Sequence, residues 1–548
     1  MPTTPHIPNT KDAPTQQIPQ GIDPKSDTKN WSFSGKYALL FFLIFFIALG
    51  VRLIHITGES VWWDEFATVA FLTPPQSYID SPEYGRWNQQ VVRHSSPSLK
   101  AFLEQNRQVD PAAMPLYLSM EYYWNKYVSP SIISLRLLSV LISMLAIVLL
   151  FFTGRKLFNT HAGLIAMLCI SLSPIHVQFA KEIRMYGLMT LFAVALIYVF
   201  YHLFQNGGKR WWILYAAVAL LLSWTHPFAL LLPFTLGVFW LTTSPKDMRR
   251  LILWSMVNAC VLLPAAVYVL SIQFWGEDST DNWMHLPNIS ELFADLLADD
   301  AIGMTYQVNA TPSAWEILLS STRALKIISW RWVIGRMMIA GALSAIIWLF
   351  VVAFLRNAQQ KRTPYNPKPK GTLQQTYLLV LWLIVPPLVL YGISIFWRPC
   401  IMPRYTVHCS MALYLLVGGA LSLIPIRVLK ITAITLLCLF YGYQQMLMAG
   451  EAQHPDWYGA RNHIRKEAIS NDLILVHNGL WKRVFAYNMK PIANDIGYGS
   501  SYDILAEQCA FRLLLTPLES PTKSEKSPTV WVVIRTDYFE KGTITAFE

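Results

Sequence analysis

Two adjacent carboxylates, Asp64 and Glu65, follow two tryptophans in the stretch Gly58-Glu59-Ser60-Val61-Trp62-Trp63-Asp64-Glu65-Phe66. The stretch comes just after the first apolar run, at a membrane–water boundary. Indole is favoured at that depth because its ring is apolar and its N–H is polar. Two acids there are costly unless something pairs or uses them. A carboxylate at such a boundary can take a proton from an acceptor while a cation holds a departing phosphate. Residues for the second task recur at the ends of later apolar runs: Lys181, Glu182, Arg184 and Tyr186, then His226, then Arg398, Arg404 and Tyr405. Arginine suits it because its planar fork meets phosphate bidentately. Arg136 lies within an apolar run, where a charge is a functional candidate by default.

These side chains act together only if the elements that carry them end on one face. Of 548 residues, 54% are hydrophobic and 14% charged, against about a quarter charged in a soluble protein. Apolar runs of about twenty residues recur from Tyr37 to Met448, which predicts a polytopic α-helical membrane protein. The runs do not alternate apolar with polar, which argues against a β-barrel. The net charge of +11 sits in short connections between apolar runs, the positive-inside pattern, with no basic soluble domain for nucleic acid. The six cysteines are scattered without a CxxC pair, so neither a zinc cluster nor a disulfide framework is implied; Cys400 and Cys409 are the one pair that could meet, and their spacing decides nothing.

Spans are expected near 37–56, 131–153, 161–175, 184–204, 211–225, 228–243, 251–272, 333–355, 377–397, 405–425 and 431–448. The third and fifth are short, as if broken or buried in protein. Placing the basic connections inside gives about eleven transmembrane helices, N-terminus in and C-terminus out. Residues 1–36 read as a disordered cytoplasmic tail, 37–448 as the transmembrane domain, and 57–129 as a long first outer loop with helices lying on the membrane surface. Residues 449–548 read as a small outer α/β domain, with strands at Asp472–Val476 and Thr529–Ile534.

Each candidate also has a structural reading. Asp64 and Glu65 suit the N-terminus of a surface helix, which is compatible with catalysis. Arg136 suits an ion pair with an acid such as Glu121 or Glu182. Glu182 and Arg184 suit pairing with each other or with other span-end charges. His226 before Pro227 suits a cap, and Arg404 an interfacial anchor. His454, His463 and His477 suit solvated or structural roles better than metal ligation. Asn288 and Asn309 open acceptor sequons, which also arise at random.

Val61-Trp62-Trp63-Asp64-Glu65-Phe66 resembles the aromatic-x-Asp-Glu motif in the first outer loop of the protein O-mannosyltransferase and aminoarabinose-transferase superfamily. Ser173-Pro174 with Lys181-Glu182-Ile183-Arg184-Met185-Tyr186 resembles the Ser-Pro…Gln-Glu-Ala-Arg-Met-Tyr motif of its bacterial members, the family 39 glycosyltransferases. Met114-Pro115-Leu116-Tyr117, Ser134-Leu135-Arg136-Leu137-Leu138-Ser139, Met402-Pro403-Arg404-Tyr405 and Asp456-Trp457 follow in the family order. Family prolines are replaced by Met114 and Leu138, and a glutamine by Lys181.

The resemblance implies a GT-C fold and an inverting transferase (EC 2.4 class). It would move a sugar from a polyprenyl-phosphate donor to a lipid, glycan or protein acceptor on the outer face of a bacterial plasma (inner) membrane. Asp64 takes the place of the catalytic carboxylate, with Glu65 assisting. Arg136 takes the place of an arginine near the donor phosphate. Lys181, Glu182, Arg184, Tyr186, Arg404 and Tyr405 complete the donor site. No cofactor is required, and a divalent metal is left open. The alternatives are a non-catalytic polyprenyl-linked sugar transporter or flippase, which would show repeated halves, and a membrane-anchored glycan-binding protein.

Overall fold

A computed structural model describes residues 35–54, 56–72, 98–110, 113–244, 247–275, 372–397 and 399–450, together with 348, 351, 352, 457, 459, 462, 473–477, 511–514 and 530–533. The expected N-terminal tail, the sequons at Asn288 and Asn309, Arg398, His454, His463 and nearly all of the 333–355 span lie outside the described residues.

The first helix, α1 (Gly35–Leu53), is followed by α2 (Trp63–Leu72), whose first turn holds Asp64 and Glu65. Acids there offset the exposed N–H groups and positive end of the helix. Two helices of the first outer loop follow, α3 (Leu99–Val109) and α4 (Pro115–Tyr127). Proline opens α4 because N1 needs no N–H donor. Helix α5 (Ile132–Leu157) is capped by Ser131, whose side chain accepts from the Ser134 N–H, and ends in Arg155 and Lys156, cations that suit the negative end.

Helix α6 (Thr160–Leu172) and helix α7 (Pro174–Lys181) belong together but are bent by 61°. The cause is Pro174: it removes an N–H and drives the preceding Ser173 out of the helical region, to φ −66°, ψ 123°. A break inside the apolar layer frees carbonyls that no water reaches. All three before the break are met by distant side chains. Arg52 of α1 donates to the Ile170 and Ser171 carbonyls, each at 3.0 Å, and to Ser143 Oγ at 2.9 Å. Gln445 donates to the Leu172 carbonyl at 2.9 Å.

The chain continues through α8 (Tyr186–Asn206), α9 (Lys209–Ser223), a 3-10 turn at Pro227–Leu230, α10 (Leu231–Thr243) and α11 (Met248–Trp275). It resumes with α12 (Thr372–Phe396), short α13 (Pro403–Thr406), α14 (Ser410–Ser422) and α15 (Arg427–Gly450), which carries Gln445. Helices α5, α6 and α14 meet backbone to backbone, the small-residue packing that membranes favour where no hydrophobic drive is left. A Cβ on Gly163 would lie 2.5 Å from the Phe151 carbonyl oxygen, and one on Gly418 2.4 Å from that of Ala162.

The chain is thus a helical integral membrane protein. Among the described residues six helices are long and apolar enough to span, or seven with the bent pair taken as one; nearly all of the expected 333–355 span lies outside these residues. Helix α9, with 15 residues, reaches roughly 22 Å at 1.5 Å per residue, short of an apolar layer of about 30 Å. Beyond α15, β1 (Leu473–His477) pairs antiparallel with β2 (Phe511–Leu514) and parallel with β3 (Val530–Val533), in the order β2-β1-β3. The two expected strands are present within this sheet; the rest of the expected domain lies outside the described residues.

Candidate functional site

The start of α2, the end of α3, the first turns of α5, the α7–α8 junction and α13 bring eight charges together as four pairs. Glu65 accepts from Arg136 twice, Nε to Oε1 at 3.0 Å and an outer nitrogen to Oε2 at 2.7 Å. Asp64 Oδ2 accepts from Arg404 at 2.7 Å. Asp110 Oδ2 accepts from Arg184 at 2.7 Å, and the same guanidinium donates to the Asp64 carbonyl at 3.2 Å. Lys181 Nζ stands 3.6 Å from Glu59 Oε1, beyond hydrogen-bond reach.

Arg136, expected near the donor phosphate, is surrounded by acceptors of the chain itself. Besides Glu65 it donates to the Ile56, Glu59 and Ser60 carbonyls at 3.0, 3.0 and 3.4 Å. A guanidinium has five N–H donors, and these five contacts use all of them. Its partner is Glu65, not Glu121 or Glu182. Glu65 also accepts from the Ile183 N–H at 3.1 Å, so this pair ties the loop after α1 to α5 and to the α7–α8 junction. Both side chains are almost wholly buried.

The other expected residues take distinct positions. Glu182 accepts from Gln178 at 3.1 Å rather than pairing with Arg184. Tyr186 and Tyr405 flank His226, with ring centroids 6.1 and 5.2 Å away, and the Arg404 guanidinium lies 5.4 Å from the Tyr405 ring centre. His226 is the cap its position before Pro227 suggested: Nδ1 accepts from the Phe228 N–H at 3.3 Å. Burial, then the Arg184 charge, press its pKa down to about 3. Burial works against the Arg184 charge too, but the Asp110 and Asp64 carboxylates more than offset it and hold that guanidinium above its ordinary pKa.

Sequence reasoning missed Asp110 and Glu59, the acids that face Arg184 and Lys181. It also missed a buried network behind the Glu65–Arg136 pair. Tyr117 hydroxyl donates to Glu121 Oε1 at 2.5 Å and lies 2.6 Å from Ser139 Oγ, while Glu121 Oε2 has no partner among the described residues. Burial above all, opposed by the Tyr117 bond and aided by the Glu65 charge, lifts Glu121 to about 8. The available signal was Glu121 itself, an acid on an otherwise aromatic helix face. Among the described residues no group of three His, Cys, Asp or Glu side chains is placed to hold a metal ion, and no disulfide joins Cys400 to Cys409.

Residues 126–275 match the family model described as dolichyl-phosphate-mannose-protein mannosyltransferase. No curated protein matches the chain by sequence. Among solved structures, ArnT from Cupriavidus metallidurans bound to undecaprenyl phosphate is similar at 13% identity and TM-score 0.42, over 84% of this chain and 75% of that one. The Archaeoglobus fulgidus oligosaccharyltransferase tethered to an acceptor peptide is similar at 10% identity and TM-score 0.42, over 84% of this chain and 59% of that one. The oligosaccharyltransferase AglB from Archaeoglobus fulgidus, in complex with an inhibitory peptide and a dolichol-phosphate, follows at 11% and 0.41, over 80% and 59%. The family match takes in Arg136, Lys181, Glu182, Arg184 and Tyr186, and so the chain's resemblance is to the protein O-mannosyltransferase and aminoarabinose-transferase superfamily of membrane glycosyltransferases.

Proposed function

We propose that the protein is an inverting, GT-C-type glycosyltransferase that moves a sugar from a polyprenyl-phosphate donor to an acceptor on the outer face of a bacterial plasma membrane. Its N-terminus is cytoplasmic and its C-terminal region outside. The observation that carries this reading is Asp64: a carboxylate at the membrane boundary, held by one arginine and set among three further cations.

Asp64 takes the proton of the acceptor hydroxyl as that oxygen attacks the anomeric carbon. The bond from that carbon to the phosphate oxygen breaks, and polyprenyl phosphate leaves with the electron pair. Protonation of Asp64 weakens its hold on Arg404 just as charge grows on the leaving phosphate, so Arg404 is suited to follow that charge. Lys181, with no hydrogen bond to Glu59, and Arg184 supply further positive charge. Arg136 and Glu65 act as a positioning pair rather than as ligands.

Asp64→Asn keeps the size and the bond to Arg404 but cannot accept the proton. Transfer from polyprenyl-phosphate sugar by the purified variant is expected to fall about a hundred- to ten-thousandfold, with donor binding unchanged. Near wild-type transfer would end the assignment of the base. Protein-dependent flipping of the lipid with no transfer by wild type would favour a transporter instead.

A further inference from the structure

Pro227 has no N–H, so the first donor that the turn after His226 presents is that of Phe228, and His226 Nδ1 accepts it. A ring nitrogen that accepts a hydrogen bond holds a lone pair there. Neutral imidazole then carries its one proton on the other nitrogen. Nε2 of His226 is therefore an N–H donor. The side chain is 1% exposed, and this donor has no partner among the described residues. A buried donor left unmet costs free energy that a bound acceptor recovers. The depressed pKa keeps the ring neutral at working pH, so it acts as a fixed donor and not as an acid or base.

Arg184 supplies a second unmet donor: its Nε is buried and without a partner among the described residues. Its outer nitrogens meanwhile hold Asp110 and the Asp64 carbonyl. The charges of Arg184 and Arg404 act on the His226 ring, with Asp110 opposing them, and the Tyr405 ring centre lies 5.2 Å from that ring and 5.4 Å from the Arg404 guanidinium. Two unmet N–H donors beside two guanidiniums, each paired with one carboxylate, suit a ligand that brings acceptor oxygens and no donors. An anionic phosphate oxygen accepts from both donors and has no proton of its own to place, whereas a sugar hydroxyl that accepts from them must still find an acceptor for its proton. We propose that His226 Nε2–H and Arg184 Nε–H bind an anionic phosphate oxygen, that of the polyprenyl phosphate. This inference rests on the glycosyltransferase reading of the same site and adds a neutral, tautomer-locked donor to its cations.

The imidazole has two separable duties, and two substitutions divide them. In His226→Asn the amide oxygen takes the place of Nδ1 and keeps the cap, but nothing reaches the position of Nε2. In His226→Gln the amide nitrogen reaches that position while the cap is lost. The full-length purified chain is titrated with polyprenyl monophosphate, the matching polyprenol and inorganic phosphate, and its melting is followed. His226→Asn should bind polyprenyl phosphate about ten- to a hundredfold more weakly, the range for a hydrogen bond to a charged group. Its polyprenol affinity and melting should stay unchanged. His226→Gln should keep phosphate affinity within a few-fold and melt earlier. Inorganic phosphate should bind wild type more weakly than the lipid and lose the same factor in His226→Asn. Loss for inorganic phosphate alone would mean a free-anion site and overturn the lipid assignment. Equal binding of polyprenyl phosphate by wild type and His226→Asn overturns the proposal, as does equal loss of polyprenol. If wild type binds no polyprenyl phosphate, it is the glycosyltransferase reading that fails.

Discussion

Replacing Arg136 by methionine keeps an unbranched apolar stem and removes the guanidinium. The pair it breaks is buried, 4% exposed on the arginine side and 1% on the glutamate side. Glu65 keeps the Ile183 N–H but loses both bonds to a cation, and the Ile56, Glu59 and Ser60 carbonyls lose their donor. Breaking a buried ion pair from one side typically costs about 3–5 kcal/mol, because the surviving charge stays desolvated. Each orphaned buried acceptor adds about 1–3 kcal/mol unless water reaches it. The Glu59 carbonyl, on a partly exposed residue, is the one that water reaches first; with the Ile56 and Ser60 carbonyls still orphaned, the expected loss is at least about 5 kcal/mol in all. Arg136→Lys keeps the charge but has three donors for five positions and should recover less than half of it. Thermal unfolding in detergent reads the loss. The cycle of Arg136→Met, Glu65→Gln and the double variant isolates the coupling, expected above 1 kcal/mol. If Arg136→Met melts with wild type and loses only affinity for polyprenyl phosphate, the arginine is a ligand and the buried pair is not what it contributes.

Three further outcomes follow from the same structure. The raised pKa of Glu121 makes folding depend on pH: below about 4.5 both states are neutral and no penalty exists, while from there to about 8 the unfolded state ionises and the folded state does not. Stability should fall by a few kcal/mol across that window, and Glu121→Gln should flatten the fall, as measured by melting from pH 4 to 9. Gly418→Ala places a methyl 2.4 Å from the Ala162 carbonyl oxygen and should cost about 1–3 kcal/mol by forcing the helices apart, read by melting. Arg52→Met orphans the carbonyls of Ile170 and Ser171. It should cost about 2–4 kcal/mol and lower the rate of transfer more than donor affinity, because it loosens the elbow that leads to Lys181.

The helices were legible because membrane burial writes itself as unbroken apolar runs, and their ends because Ser131, Asn159 and Pro174 are local signals. The acids at the start of α2 and the cap at His226 were legible for the same reason. Pairing was not. Arg136 and Glu65 are 71 residues apart, and Arg184 and Asp110 are 74 apart. Nothing in the local pattern says which acid a buried arginine meets. The motif order pointed to Arg136 as a ligand; only the positions of the three carbonyls around it show that its donors are already taken. Glu121, an acid within the same sequence neighbourhood, meets Tyr117 instead of that arginine.

The elbow between α6 and α7 is closed by Gln445, 273 residues after the Leu172 carbonyl it meets, and Asp64 waits 340 residues for Arg404. At roughly 5–20 residues per second of synthesis, the second interval lasts about 17–70 s. For the whole of that time the nascent chain holds an unpaired acid at the lipid boundary, and from Leu172 onward a cut helix as well, neither of which the bilayer tolerates unaided. Insertion of the early helices is therefore provisional. Their polar groups must stay near water or in the insertion machinery until the last third of the chain arrives, and a ribosome that stalls before Arg404 leaves a product marked for removal by the groups it has failed to cover.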